Sequence, residues 1–263
     1  MNTLTNPKHH MPNPPEMDGL SFHAYRGEED LRNILTICEQ LRSLSLHDGG
    51  LDMEVLINEY SHLTNCDLPN DFLVAEVHGQ PVGYLRRWWE SVISDESRVQ
   101  LNSFWMLLQW IGSPLGDFFV NWAEARAMQV AEDLPSVKGG DRIDFWTREK
   151  DLGKVQLFEK HGYKPLRYFF DMSRSLEGEL PDHPLPAGLE VRAVLNSQVR
   201  QVWEASNEAF KDEWGATEVA LGVDAENPSG ALGLYTRLGY RPYRTQMVLA
   251  KLLAEVISQK AAD

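Results

Sequence analysis

Few residues in this chain of 263 fall into a pattern that points to chemistry. Its two cysteines, Cys38 and Cys66, show no metal-type spacing and have no second pair. Cys38 falls inside the run "LRNILTICEQLRSL", where it reads as a buried, inert thiol. His9 and His10 are adjacent and lack further ligand types nearby, so no metal site is expected. Arg86, Arg87, Trp88 and Trp89 form a basic-aromatic cluster. Strand side chains alternate, however, so two of the four should face a core and two should face outward. The chain has no Walker loop, no dinucleotide fingerprint, no HExxH and no GxSxG. What remains is the segment "NPSGALGLYTRLGY" (227–240). Asn227 followed by Pro228 suits a helix N-cap with Pro at the first helical position. Ala231, Leu234, Tyr235 and Leu238 then fall on one helical stripe, where Tyr235 reads as a core-edge aromatic.

The composition sets bounds on the function. Apolar content of 43% and charged content of 24% are ordinary for a globular protein. A net charge of −14 argues against a nucleic-acid surface, which needs clustered Lys and Arg. It fits the attraction of a cationic small molecule, and solubility explains it equally well. Few cysteines, no apolar run of about 18 residues and no signal-type start give a cytoplasmic expectation with no membrane partner. The Pro- and Asn-rich residues 1–19 read as a mobile tail.

Periodicity supplies the elements around those residues. "LSFHAY" reads as a short strand, and 28–46 as a helix with Leu31, Ile34, Leu35, Cys38 and Leu41 on one face. "DFLVAEVHGQPVGYLRRWWES" reads as two strands around the turn His78-Gly79-Gln80. Next come a strand "VQLNSFWML", then a loop and helix in "SPLGDFFVNWAEARAMQVAED", then a strand "RIDFWT". A helix over 152–161 stopped by Gly162 and a last strand "KPLRYFFDM" complete the series.

The chain also repeats itself. "LFEKHGYKPLR" (157–167) and "LYTRLGYRPYR" (234–244) share five of eleven positions at an offset of 77 residues. A fainter match sets "LSFHAYRGEEDLRNILTICEQ" from residue 20 beside "LEVRAVLNSQVRQVWEASNEAF" from residue 189, an offset of 169. The 92-residue difference measures what the second copy lacks. The expected domains are therefore 20–172, a Pro-rich linker 173–188, and a shortened copy 189–263. The second copy keeps a first strand and helix, then "VALGVD", a helix over 229–238, and "YRTQMVLAK".

This element order, with "VDAENPSGALGLYTRLGY", resembles the GCN5-related N-acetyltransferase (GNAT) superfamily over residues 20–251. The tandem arrangement is most similar to its mycothiol-synthase-like branch. The resemblance implies an α/β fold with a mixed sheet, in tandem with a truncated second copy. It implies acetyl-CoA as acyl donor and a primary amine of a small molecule or peptide as acceptor. In the family a loop written R/Q-x-x-G-x-G/A wraps the pyrophosphate with backbone N–H groups and a helix N-terminus. A splayed strand pair holds the pantetheine arm, and a helical Tyr protonates the departing thiolate.

Carried over residue by residue, the resemblance makes Tyr235 the general acid and Asn227 a cofactor contact. It places the phosphate loop in "LLQWIGSPLGDFF", with Gln109, Gly112, Ser113, Leu115 and Gly116 as its binding residues. Pro114 departs from the pattern by removing an N–H where backbone should approach phosphate. The acid position of the first copy is Phe158, which has no hydroxyl. Asp212 or Glu213, in "KDEW", stands where the family often carries an acceptor-side loop. Two functional classes follow: an acetyl-CoA-dependent N-acetyltransferase, or a catalytically inactive GNAT-like binding protein or truncated relic. Apolar surface left by the missing strands predicts self-association, with a homodimer as its simplest form.

Overall fold

The computed structural model describes residues 11–43, 51–92, 96–175, 198, 200, 201, 218–226 and 230–260. Two compact units result: Met1–Tyr168 with Gln246–Asp263 as unit 1, and Phe169–Thr245 as unit 2. No helix among the described residues is long and apolar enough to cross a membrane.

Unit 1 opens with β1 (Leu20–His23) and α1 (Glu28–Ser43). Glu28, Glu29 and Asp30 complement the positive end of the α1 dipole, while Leu31, Ile34, Ile37, Cys38 and Leu41 form its buried stripe. Burial pushes the Cys38 thiol up to about 11. Two helices absent from the sequence reading follow, α2 (Met53–Ser61) and α3 (Leu68–Asp71). Asp52 caps α2 by accepting the Val55 N–H at 2.9 Å, a signal that the sequence did carry. β2 (Phe72–Val77) and β3 (Gln80–Val92) meet at His78 and Gly79, whose φ values of 51° and 73° are the positive pair a tight hairpin needs.

β4 (Ser97–Met106) pairs antiparallel with β3 along its whole length. After α4 (Leu108–Ile111) and α5 (Pro114–Asp133), β5 (Asp141–Arg148) returns parallel to β4. The β4–β5 ladder runs from Arg98↔Asp141 to Asn102↔Phe145 and stops, although both strands continue. The cluster read from sequence is more buried than alternation implies. Arg87 is fully buried on Asp71 and Gln100, and Arg86 lies under the Tyr60 and Trp88 rings with Glu59 at 2.6 Å.

The remaining elements are α6 (Leu152–Lys160), β6 (Lys164–Ser175), β7 (Glu218–Asp224), α7 (Ala231–Arg237), β8 (Arg241–Leu252) and α8 (Leu253–Lys260). Here the structure departs from the boundaries 20–172 and 189–263. Residues Phe169–Ser175 of β6 pair with β7 inside unit 2, and the partner of β5 is Gln246–Leu252 of β8. The strand that follows α6 in sequence thus pairs in unit 2, and the strand that follows α7 pairs in unit 1. Lys251 of β8 donates to the His161 carbonyl at 2.8 Å, at the end of α6, and Arg174 of β6 donates to the Leu238 carbonyl, at the end of α7. At the 77-residue offset Arg174 matches Lys251 and Leu238 matches His161. Each strand's cation therefore satisfies the orphan carbonyl of the other copy's helix. The strand and helix expected from residue 189, and Asp212 and Glu213, lie outside the described residues apart from 198, 200 and 201.

A pH-sensitive contact ties α5 to α6. Asp117 accepts Lys160 Nζ at 2.7 and 2.8 Å and faces His161 Nε2 at 2.9 Å. Burial pushes the Asp117 carboxyl up, but the hydrogen bonds and charges of Lys160 and His161 outweigh it and hold it below its usual range. A depressed carboxylate contributes stability that is present above its unfolded pKa of about 3.9 and is lost as pH falls through the folded value. The stability difference between the protein and Asp117→Asn, read from urea unfolding, is expected to be largest near neutral pH and to vanish in strong acid. A difference that persists at about pH 2 would remove this role from the carboxylate.

Candidate functional site

The 109–116 segment folds as a closed knot rather than an open loop. α4 is a single short turn, and Ser113 is the N-cap of α5, with Pro114 at its first position. The Trp110 carbonyl receives the Ser113 N–H at 3.1 Å and the Ser113 hydroxyl at 2.7 Å. Ser113 Oγ in turn accepts the Leu115 N–H at 3.2 Å, and the Ser113 carbonyl accepts the Gly116 N–H at 3.0 Å. The Gly112 N–H also turns toward the Trp110 carbonyl. Pro114 has no N–H to offer. Gln109 and Gly112 are exposed, whereas Leu115 and Gly116 are buried in the unit.

Gly116 is glycine for a reason unconnected with a ligand. A Cβ there would lie 2.1 Å from the Ile111 carbonyl oxygen, because α4 folds back over the start of α5. Around Gly112 nothing lies within 4 Å of a built Cβ, and its φ of −83° suits any residue. Gly116→Ala is expected to cost about 1–3 kcal/mol by overpacking, seen as a lowered urea midpoint. Gly112→Ala should be neutral or slightly stabilising, by up to about 1 kcal/mol. The reverse order would mean that Gly112, as in a phosphate cradle, is the constrained position.

The cleft beside β4 is filled as well. Past Asn102↔Phe145 the two strands part, and the Phe158 ring of α6 closes the gap between them. It stacks on Phe145 at 4.4 Å and meets Phe104 edge-on at 5.7 Å, with no exposed surface. One turn earlier, Lys154 is also buried, its ammonium 4.2 Å from the Trp105 ring and 3.6 Å from Asp151. Burial pulls its pKa down against the pull of Asp151. Acetyl-CoA, the donor implied by the fold family, therefore does not fit unit 1. The amides that would hold its phosphates are bonded within the loop, and side chains occupy the opening between the strands.

Tyr235 has a different setting. It lies in unit 2 on α7, none of whose residues is buried, and Leu234 of the expected apolar stripe is 47% exposed. Tyr235 is half-buried, its ring edge-on to Tyr240 at 5.7 Å. The helix begins after Gly230, at φ 73°, and Asn227 lies outside the described residues. No three His, Cys, Asp or Glu residues among those described are placed to hold a metal ion.

Comparison with known proteins agrees with this architecture. No family profile matches the chain. The mycothiol acetyltransferase of Arthrobacter sp. (strain FB24) is 30% identical over 84 residues, which is 32% of this chain and 26% of that protein. The chain thus matches only about a quarter of that relative's length. A GCN5-related N-acetyltransferase from Sphaerobacter thermophilus superposes with a TM-score of 0.69 at 18% identity, over 90% of this chain and 96% of that one. A tandem GNAT protein from the clavulanic acid biosynthesis pathway gives 0.59 at 11% identity, over 89% and 98%. The chain has the mixed α/β, open-sheet fold of the GNAT acetyltransferases.

Proposed function

We propose that the chain is a tandem GNAT N-acetyltransferase of the mycothiol-synthase-like branch, with a shortened second copy, which takes acetyl-CoA as donor and a primary amine as acceptor. The observation that supports this most directly is the contrast between Phe158 and Tyr235, 77 residues apart at equivalent positions. Phe158 is locked in the core, whereas Tyr235 stands half-exposed on a helix with no buried residue. Bound acetyl-CoA would supply the acetyl group as an activated thioester. Tyr235 would hold at Oη the proton that the departing sulfur takes, and a positioned acid of this kind is worth about 10²–10⁴-fold in rate. The net charge of −14 favours a cationic amine, of a small molecule or a peptide, as the acceptor.

A second reading, a GNAT-fold binding protein without activity, is favoured by the closed 109–116 knot and by Phe158. Calorimetry with acetyl-CoA separates the two. Micromolar binding, followed by release of CoA thiol in the presence of an amine panel, is expected for the acetyltransferase. Absence of binding at millimolar acetyl-CoA would leave the inactive reading.

A further inference from the structure

We infer that unit 1 holds no acyl donor: its own atoms take up the loop amides and fill the cleft beside β4 that a thioester ligand would need. This rests on the acetyltransferase reading for the identity of the donor, but on unit 1 alone for its geometry.

Three features agree. The first is the saturation of the loop. Ser113 N–H, Leu115 N–H and Gly116 N–H all have acceptors within the knot, at 3.1, 3.2 and 3.0 Å, and Pro114 contributes none. An anion seated there would have to break bonds before making any, and it would have to displace the Ile111 carbonyl packed on Gly116. The second is the pair of substitutions revealed by the repeat. At the 77-residue offset Ala231 of α7 becomes Lys154 of α6, and Tyr235 becomes Phe158. Ala231 and Tyr235 sit on a helix with no buried residue, whereas both replacements in α6 are buried, one turn apart on the same helical face. The third is where those side chains end. Phe158 bridges Phe104 and Phe145 where the β4–β5 ladder stops, and Lys154 lies over Trp105 further along β4.

A buried ammonium with one carboxylate partner and an aromatic face is a costly filling, tolerated here because the Asp151 carboxylate and the Trp105 ring offset its desolvation. Unit 1 has kept the fold of an acyltransferase and turned its cleft into core. Its remaining task is structural: to seat β8 beside β5 within unit 1.

The test uses the full chain with acetyl-CoA as probe, and reads calorimetry together with hydrogen exchange at Gly112, Ser113, Leu115 and Gly116. Gly112→Asp places a carboxylate on the exposed loop without a steric clash, since nothing lies within 4 Å of that position. If unit 1 is donor-free, saturating acetyl-CoA leaves exchange at these four amides unchanged, and Gly112→Asp alters Kd by less than about twofold. Slowed exchange there, together with a Kd weakened about tenfold or more by Gly112→Asp, would overturn the inference while leaving the acetyltransferase reading intact. A chain that binds no acetyl-CoA at all would agree with a donor-free unit 1 and would sink the acetyltransferase reading instead.

Discussion

Lys251→Met, at the β8 seam, is expected to destabilise the protein by about 3–5 kcal/mol. The side chains of Lys251 and Glu124 are 2% and 4% exposed, and their 2.9 Å pair joins β8 to α5. Removing the ammonium strands the Glu124 carboxylate in a low-dielectric setting. Lys260, 3.8 Å away and 35% exposed, neutralises it poorly. The same substitution frees the His161 carbonyl, which accepts the other Lys251 hydrogen bond. The double variant Glu124→Leu with Lys251→Met removes both charges and should recover most of the loss, because a buried pair contributes little against a well-packed apolar replacement. Guanidinium unfolding of the four members of the cycle measures the coupling directly. A single-variant loss below about 1 kcal/mol would mean that the pair does not hold β8 in place.

That seam also marks the limit of what local sequence can specify. The helix stops were legible, because Gly162 and Gly239 both take left-handed φ, 83° and 91°, after matching runs, and only the short range matters there. The hairpin at His78-Gly79 and the stripe of α1 were legible for the same reason. The choice between two strands at equivalent places in the repeat as the partner of β5 was not. "KPLRYFF" and "TQMVLAK" both suit a half-buried strand, and what separates them is distant: the buried Glu124 awaiting Lys251, and the helix carbonyls taken by Lys251 and Arg174. Periodicity has no access to pairing across about 100 residues. α2 was missed because its nine residues bury only Leu56, too little to give a stripe, although the Asp52 cap was readable.

The candidate site divides along the same line. Pro114 and Phe158 were visible departures, each with a local consequence: one donor lost and one hydroxyl absent. That Ser113 would knot the loop by taking the Leu115 N–H and donating to Trp110 needed the backbone path. That Lys154 would turn inward needed the neighbouring ring of Trp105 and the cap residue Asp151. A lysine in the first turn of a short helix reads as solvated on any sequence scale, and only packing reverses this.

Tyr235→Phe is expected to lower kcat for acetyl transfer by about 10²–10⁴-fold while leaving KM and thermal stability nearly unchanged. The substitution removes one oxygen and keeps the edge-on contact with Tyr240, centred 5.7 Å away. No residue of α7 is buried, so no core packing is lost with the hydroxyl. A hydroxyl with a structural role would instead cost stability and spare kcat, so the two readouts separate the cases. Further evidence comes from the leaving group. If Tyr235 protonates the departing sulfur, the defect should shrink for acyl thioesters whose thiols are more acidic, since a better leaving group needs less help from an acid. Restoring a hydroxyl in the first copy by Phe158→Tyr should not rescue activity. Phe158 has no exposed surface and sits in a ring stack sealed by Phe104 and Phe145, so a phenol there would gain no access to an acceptor amine. A Tyr235→Phe protein with unaltered turnover would move the acid elsewhere. Rescue by Phe158→Tyr would return the chemistry to unit 1.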